Sequence, residues 1–428
     1  MSDVNTALIG FGTSETDEGK ARRRPLERTG RRAMAQITFT LRWQCDNASH
    51  CETLVARKFK FWRDILPPEL EADLLDRPVG HSAGHRYAAG ELLPPYQASQ
   101  LFEIGHDAFD RSCRPGHVVE PRSGRYYPRG FIAGTRGIYA GDVRPFRVTR
   151  VDDGRLQVDL NHPLAGRELD VQASILDVWA AGDEHGGRCE DVAEMVCDNG
   201  AGMQARWRKQ PTDFFGDMAF SRPAPEADAG FYAMPRMVGH VDATASAQIA
   251  AIYAELLPAG AKVLDLMSSL QSHLPAGFAG EVHGLGMNAA EMAANPRLAG
   301  HLVHDLNLQP QLPCADASFD AVICSLSVEY LVQPFEAFAE AARVLRPGGR
   351  FVVTFSNRWF PPKVIRLWEG AHEFERPGIV LEYFLRGGLF GDLHTRSLRG
   401  LPRPQDDAHA HELETSDPVF AVWGTRSA

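Results

Sequence analysis

The sequence predicts two modules: a β-rich α+β domain, then an α/β domain built on an open, mostly parallel sheet. Three observations carry this. Val263 to Leu266 is an apolar run broken by one Asp, as expected of a strand covered on both faces. A turn, a second strand-like stretch from Glu281 to Gly286 and a helix opening at Asn288 follow it. Before residue 180, short stretches with strand patterning are separated by turns, the pattern of half-buried strands. In open α/β sheets, ligands sit outside the carboxyl ends of the strands, where the strand order reverses. Functional residues are therefore sought there.

With 428 residues, the chain is too long for one ordinary core. Hydrophobic residues at 44% and charged residues at 23% describe a globular protein. A net charge of -10 argues against nucleic-acid binding as the main task. No apolar run is long enough to span a bilayer, and the N-terminus lacks a signal-peptide core. Seven cysteines without a paired framework point to a reducing, cytoplasmic setting. Cys45, His50 and Cys51 lack a second ligand pair at zinc spacing, so no metal is expected.

Residues 1–33 are polar and highly charged and read as a disordered tail. From 34 to 180, strands are expected at Ile37–Trp43, His85–Ala89, Phe146–Val151, Leu156–Leu160 and Leu169–Val178. Asp152-Asp-Gly154 fits a hairpin turn. The run Leu156 to Leu169 contains Asn161-His-Pro-Leu-Ala-Gly166. It resembles the SlyD-type branch of the FKBP prolyl isomerases, where this motif joins the closing strands. The resemblance implies an FKBP/SlyD-like α+β fold able to hold a peptide or protein partner. The family's proline-pocket stretch has no counterpart between Cys45 and Asp64, so little isomerase turnover is expected.

Residues 181–253 connect the modules. Gly182 to Gly187 is a turn-rich break. Phe231 to Asp242 is a candidate lid, followed by a helix to about Leu257 whose N-cap is Asp242 or Thr244.

From 254 to 428 the strands are taken in order. The first ends at Asp265, the second near Gly286, the third around Val303 to Asn307. The fourth runs from Phe319 to Ser327 and the fifth from Arg350 to Phe355 behind the turn Pro347-Gly-Gly349. Leu393–Leu398 and Val419–Thr425 make a final antiparallel pair. Ala261-Lys-Val-Leu-Asp265, Leu312 to Val322 and Ala342 to Val353 together resemble class I S-adenosylmethionine-dependent methyltransferases, with their Rossmann-like seven-stranded sheet. The first motif departs from the pattern. Met267-Ser268-Ser269 stands where Gly-x-Gly is usual, as in a set of type-11-like sequences carrying Asp-Leu-Met-Ser-Ser.

The resemblance implies S-adenosylmethionine as cofactor, held by Asp265, Met267, Ser268 and Ser269. Gly286 occupies the place of the ribose-binding carboxylate. Asn288 can make one such bond, and Glu291 lies one turn further. Asp305 is placed to meet the adenine amino group or to cap a turn, with Leu306 on the ring. Ser325, Glu329 and Tyr330 fall at the end of the fourth strand, where the methyl points, and Glu329 and Tyr330 are the expected catalytic pair. His240, Asn357 and Arg358 are expected at the substrate, and Trp359 lies beside them. The alternative is a peptide-binding, chaperone-like or prolyl isomerase protein with a catalytically silent methyltransferase fold.

Overall fold

The computed structural model describes residues 24–112, 118–182 and 188–428. Strands β1 (Ala33–Gln44) and β2 (Ser49–Lys60) form a long hairpin, followed by helix α1 (Pro68–Leu74) and β3 (Ser82–Tyr87). Next come β4 (Leu101–Gly105), β5 (Tyr126–Pro128), β6 (Pro145–Asp152), β7 (Arg155–Asp159) and β8 (Leu169–Ala180). Gly154 adopts a φ of 76° in the β6–β7 turn, which glycine tolerates without strain. Helices α2 (Val192–Cys197) and α3 (Asp228–Tyr232) lie in the connecting segment, before α4 (Ala243–Leu256). The Asp242 side chain caps α4, accepting from the Ala245 N–H.

The second half runs β9 (Lys262–Leu266), β10 (Glu281–Gly286), α5 (Ala289–Ala294), β11 (Gly300–Val303), β12 (Phe319–Ser325), α6 (Pro334–Val344) and β13 (Leu345–Phe355). It continues through α7 (Arg366–Glu369), α8 (Glu375–Gly387), β14 (Phe390–Arg399) and β15 (Val419–Arg426). One eleven-stranded sheet has the order β11-β10-β9-β12-β13-β15-β14-β2-β1-β8-β3, while β4-β7-β6-β5 form a separate four-stranded sheet. β9 pairs in parallel with β10 on one side and β12 on the other. The order reverses there, which opens a crevice at the carboxyl ends.

Both faces of β9 are covered. Ile249, Ile252 and Tyr253 of α4 pack with Val263, Val352 and Ala421. Phe338, Tyr383 and Phe384 of α6 and α8 pack with Leu264, Val322 and Phe351 on the other face. This double cover is why Val263, Leu264 and Leu266 are all buried and no polar alternation appears.

The two halves share a sheet because β14 pairs in parallel with β2, from His394 opposite Ser49 to Arg399 opposite Leu54. Without β2, β14 would be an open edge, a template for unwanted pairing. Glu52 anchors the junction. Its carboxylate accepts from Ser397 Oγ (2.6 Å), Trp43 Nε1 (3.3 Å) and Gln204 Nε2 (2.5 Å). Burial pushes its carboxyl above the usual range. Glu52→Ala leaves three buried donors unmatched, so a loss of about 2–4 kcal/mol is expected. Urea unfolding checks this.

Two expectations are corrected. Residues 24–33 are not a free tail: Leu26 N–H donates to Val178 O, Thr29 N–H donates to Arg77 O, and Thr29 is buried. Backbone pairing against the first module holds this stretch despite its charge. Residues 1–23 and most of the 182–187 break lie outside the described residues. Strand β2 also went unrecognised, since His50 and Glu52 are buried among its alternating residues. Part of their hydrogen bonding is matched across the junction, as by His50 Nδ1 and Thr395 Oγ1 at 2.7 Å. Among the described residues, no helix is long and apolar enough to cross a membrane.

Candidate active site

The carboxyl ends of β9, β10 and β12 open into a cavity of about 250 Å³, walled above by the segment from Tyr232 to Val241. Of the residues expected at the site, all but Glu329 and Asn357 line it. Three non-glycine lining residues, Met267, His273 and Leu326, have φ of 55°, 53° and 52°. Left-handed backbone costs about 1–2 kcal/mol per residue, and such strain gathers at functional sites. Met267 thus takes the conformation that favours glycine, in the place where the resemblance expected one.

Asp265 is buried. Its Oδ2 accepts from Ser268 Oγ (2.7 Å) and Ser272 Oγ (2.6 Å). Burial raises its pKa to about 6, against the two hydroxyl hydrogen bonds, which lower it. Ser269 Oγ donates to Glu291 Oε2 at 2.5 Å. The hydroxyls of Ser268 and Ser269 are therefore committed to protein carboxylates.

Gly286 has a steric reason to be glycine. The first loop crosses the end of β10 so closely that an added Cβ would fall inside the radius of the Ser268 carbonyl oxygen. No carboxylate side chain fits there. Gly286→Ala must displace backbone, and a loss of about 2–3 kcal/mol is expected together with weakened cofactor binding. A thermal melt and a cofactor titration of the variant check both.

Asn288 caps α5, accepting from the Ala290 and Glu291 N–H groups, and its Nδ2 donates to Tyr232 O (2.8 Å) and Ala233 O (3.3 Å). It holds the lid rather than a free ribose contact. Glu291, one turn on, is buried and accepts the lid's Arg236 N–H at 2.7 Å. It is the carboxylate nearest in chain to the end of β10 that faces the cavity. Asp305 caps a turn, its Oδ1 accepting from Asn307 and Leu308 N–H, and also lines the cavity beside Leu306. Ser325 Oγ pairs with Tyr253 Oη at 2.6 Å.

The structure separates Glu329 from Tyr330. Tyr330 lines the cavity and its oxygen accepts the Phe360 N–H at 2.8 Å. Glu329 is fully buried off the cavity, and neither carboxylate oxygen has a hydrogen-bond partner among the described residues. Burial lifts its pKa to about 8. His240 faces the cavity with its ring edge-on to Phe360, and burial lowers its pKa. His273, bonded through Nδ1 to Ser246 Oγ at 2.8 Å, is lowered to about 4 by burial and by His240. Arg358 lines the mouth; Asn357 is exposed beside it.

The segment from Phe231 to Asp242, expected as a lid, walls the cavity with Tyr232 and Arg236, and Asp228 just before it is a lining residue that the sequence did not single out. The aromatic density of Phe231-Tyr232 was the available signal. Asp228 anchors the lid's start: Arg222 Nη1 (2.8 Å), Asn307 Nδ2 (2.8 Å) and Lys363 Nζ (3.2 Å) converge on it.

The residues suit S-adenosylmethionine by charge. Asp265, Glu291 and Asp305 offer carboxylates to a ligand with a sulfonium, an ammonium, ribose hydroxyls and an adenine amine. Met287, Leu306 and Leu326 add apolar wall.

Comparison with known proteins agrees. A family model described as a methyltransferase domain matches residues 270–353; the match begins just after the Asp265 loop. A malonyl-[acyl-carrier protein] O-methyltransferase of Marinomonas sp. is 28% identical over 88 residues, 21% of this chain and 32% of that protein. A ubiquinone/menaquinone biosynthesis C-methyltransferase of Brucella anthropi is 33% identical over 137 residues, 30% of this chain and 48% of that one. The chain thus spans less than half the length of these relatives. A solved S-adenosylmethionine-dependent methyltransferase of Mesorhizobium loti aligns over 41% of this chain and 96% of its own, with 18% identity and a TM-score of 0.26. Residues 270–353 thus match a methyltransferase domain, and the curated relatives that the chain resembles are methyltransferases.

Proposed function

We propose that the protein transfers a methyl group from S-adenosylmethionine to a small acceptor held at the β12–β13 side of the cavity. The observation that carries this reading is the ring of carboxylates, Asp265, Glu291 and Asp305, around a strained loop at the reversal of the sheet. When bound, the cofactor would supply a sulfonium-borne methyl group for transfer. The chain's part is alignment and closeness. Asp265 and Glu291 hold the positive, hydroxyl-rich ligand, and the lid excludes water. His240 is neutral at pH 7, since burial lowers its pKa. It can take a proton from an acceptor that carries one. Tyr330 stays protonated, because burial raises its pKa well above the usual value, and serves as wall. The relatives' names, one for O-methylation of a malonyl group on an acyl-carrier protein and one for C-methylation in quinone biosynthesis, leave the attacked atom open.

We further propose that residues 34–180 are an FKBP/SlyD-like module acting as framework. In support, Asn161 to Gly166 links β7 of the small sheet to β8 of the large one, and β2 covers the β14 edge. A proline-peptide turnover assay on the full chain is expected to show no isomerisation, and turnover would reassign the module. The main reading is tested by calorimetric titration with S-adenosylmethionine and S-adenosylhomocysteine, followed by an acceptor screen with labelled methyl. No binding at millimolar ligand, weaker than about -4 kcal/mol, would leave the fold a catalytically silent scaffold.

A further inference from the structure

The cavity is divided by charge. Three of the four carboxylates that line it, Asp265, Glu291 and Asp305, lie at its β9–β11 end. The other end, where the chain leaves β12 and β13, is aromatic and cationic, and the fourth carboxylate, Asp228, is paired there with Arg222 and Lys363. There the Tyr330 and Phe360 rings stack with centroids 5.9 Å apart and planes at 26°. Trp359 lines the cavity beside them.

Arg236 reaches this end from the lid. Its guanidinium lies 4.4 Å from the Phe231 ring centroid, 5.1 Å from Phe360 and 5.7 Å from Tyr232. Nη2 donates to Phe231 O at 3.1 Å. Nη1 is shielded from solvent and has no acceptor among the described residues. A buried charged donor without an acceptor is uncommon and calls for a ligand atom. Ring faces hold a guanidinium flat and leave Nη1 to meet an anion. Beside it on the lid, Met234, Met237 and Val238 are 77%, 52% and 61% exposed. Flexible apolar side chains of this kind suit an apolar body of variable shape.

We propose that the acceptor is a flat, apolar molecule carrying an anionic group, its body against the Tyr330–Phe360 rings and its anion on Arg236. This rests on the methyl-transfer reading for the word acceptor, but not for the binding itself. The rival anion for Arg236 is the cofactor's own carboxylate. Two facts favour the acceptor. The guanidinium sits on Phe360, beyond the end of β13, and the residues nearest the cofactor end are carboxylates, which repel an anion.

The test uses the full chain and two fluorescent probes. One is 1-anilinonaphthalene-8-sulfonate; the other is N-phenyl-1-naphthylamine, the same rings without the sulfonate. Wild type, Arg236→Gln and Arg236→Lys are titrated with each probe, and with S-adenosylmethionine by calorimetry. Taking the difference between variants removes binding elsewhere on the surface. Arg236→Gln is expected to weaken the sulfonate probe about tenfold, leave the neutral probe within about twofold, and leave cofactor affinity within about threefold. Arg236→Lys, which keeps the charge without the fork, should recover part of the loss. Equal effects on both probes, or no effect on either, would overturn the proposal. So would a loss of cofactor affinity in Arg236→Gln with the sulfonate unaffected, which would give the guanidinium to the cofactor. If wild type binds no cofactor, methyl transfer fails as a reading, while the probe difference still decides this one.

Discussion

Asp265→Asn is expected to make the ligand-free protein more stable and its cofactor binding much weaker. Wild-type Asp265 is buried with a pKa of about 6. A carboxyl raised in the fold above its ordinary value near 4 stabilises the fold only while protonated. That contribution is present below about pH 4 and lost as pH rises through 6. At pH 7.5 the ionised group therefore costs the ligand-free fold on the order of 3 kcal/mol. The amide keeps an oxygen for Ser268 and Ser272 and carries no charge, so the melting temperature should rise. Binding should move the other way. Loss of a charge-assisted contact removes about 1.5–3 kcal/mol, roughly 10- to 150-fold in Kd. Wild-type affinity for the cationic cofactor should also fall as pH drops through 6, whereas the variant's should be flat there. Wild-type affinity retained by the variant at pH 7.5 would remove Asp265 from the site.

Glu329→Gln carries the larger stability effect. Its carboxylate oxygens have no hydrogen-bond partner among the described residues, and its pKa is about 8. In the unfolded chain it ionises near 4.5. The stabilising contribution is complete below that value and drains away as pH climbs through 8, by as much as about 4–5 kcal/mol. A neutral amide of similar shape escapes the loss. Urea unfolding at pH 5 should therefore find variant and wild type alike. At pH 8.5 the variant should be the more stable by several kcal/mol. Equal differences at both pH values would mean that Glu329 is not a desolvated acid. Methyl transfer should survive the substitution, because Glu329 does not line the cavity; complete loss of activity in a folded variant would restore it as a catalytic residue.

The order of strands and helices after residue 254 was legible in the sequence. Val263–Leu266, Glu281–Gly286 and the Asn288-capped helix appear as read, because periodicity and caps are local properties. The family resemblance pointed to Asp265, Asp305 and Ser325, and all three line the cavity at the carboxyl side of the sheet. What was not legible depends on partners far along the chain. Ser397 and Glu52 are separated by 345 positions, and nothing near either announces the pairing of β14 with β2. Serine hydroxyls rotate toward whichever acceptor the fold brings close, so only the packed loop directs Ser268 and Ser269 to Asp265 and Glu291. Gly286 looked like a missing carboxylate until the Ser268 carbonyl was seen to fill the space. Adjacent in sequence, Glu329 and Tyr330 part company because the turn after β12 sends one side chain into the core and the other to the cavity. Sequence by itself determined the local elements and where their ends lie. Tertiary structure alone decided which polar groups meet and which carboxyls lose water, because desolvation and hydrogen-bond matching are set by whatever packs against a group, not by its neighbours in the chain.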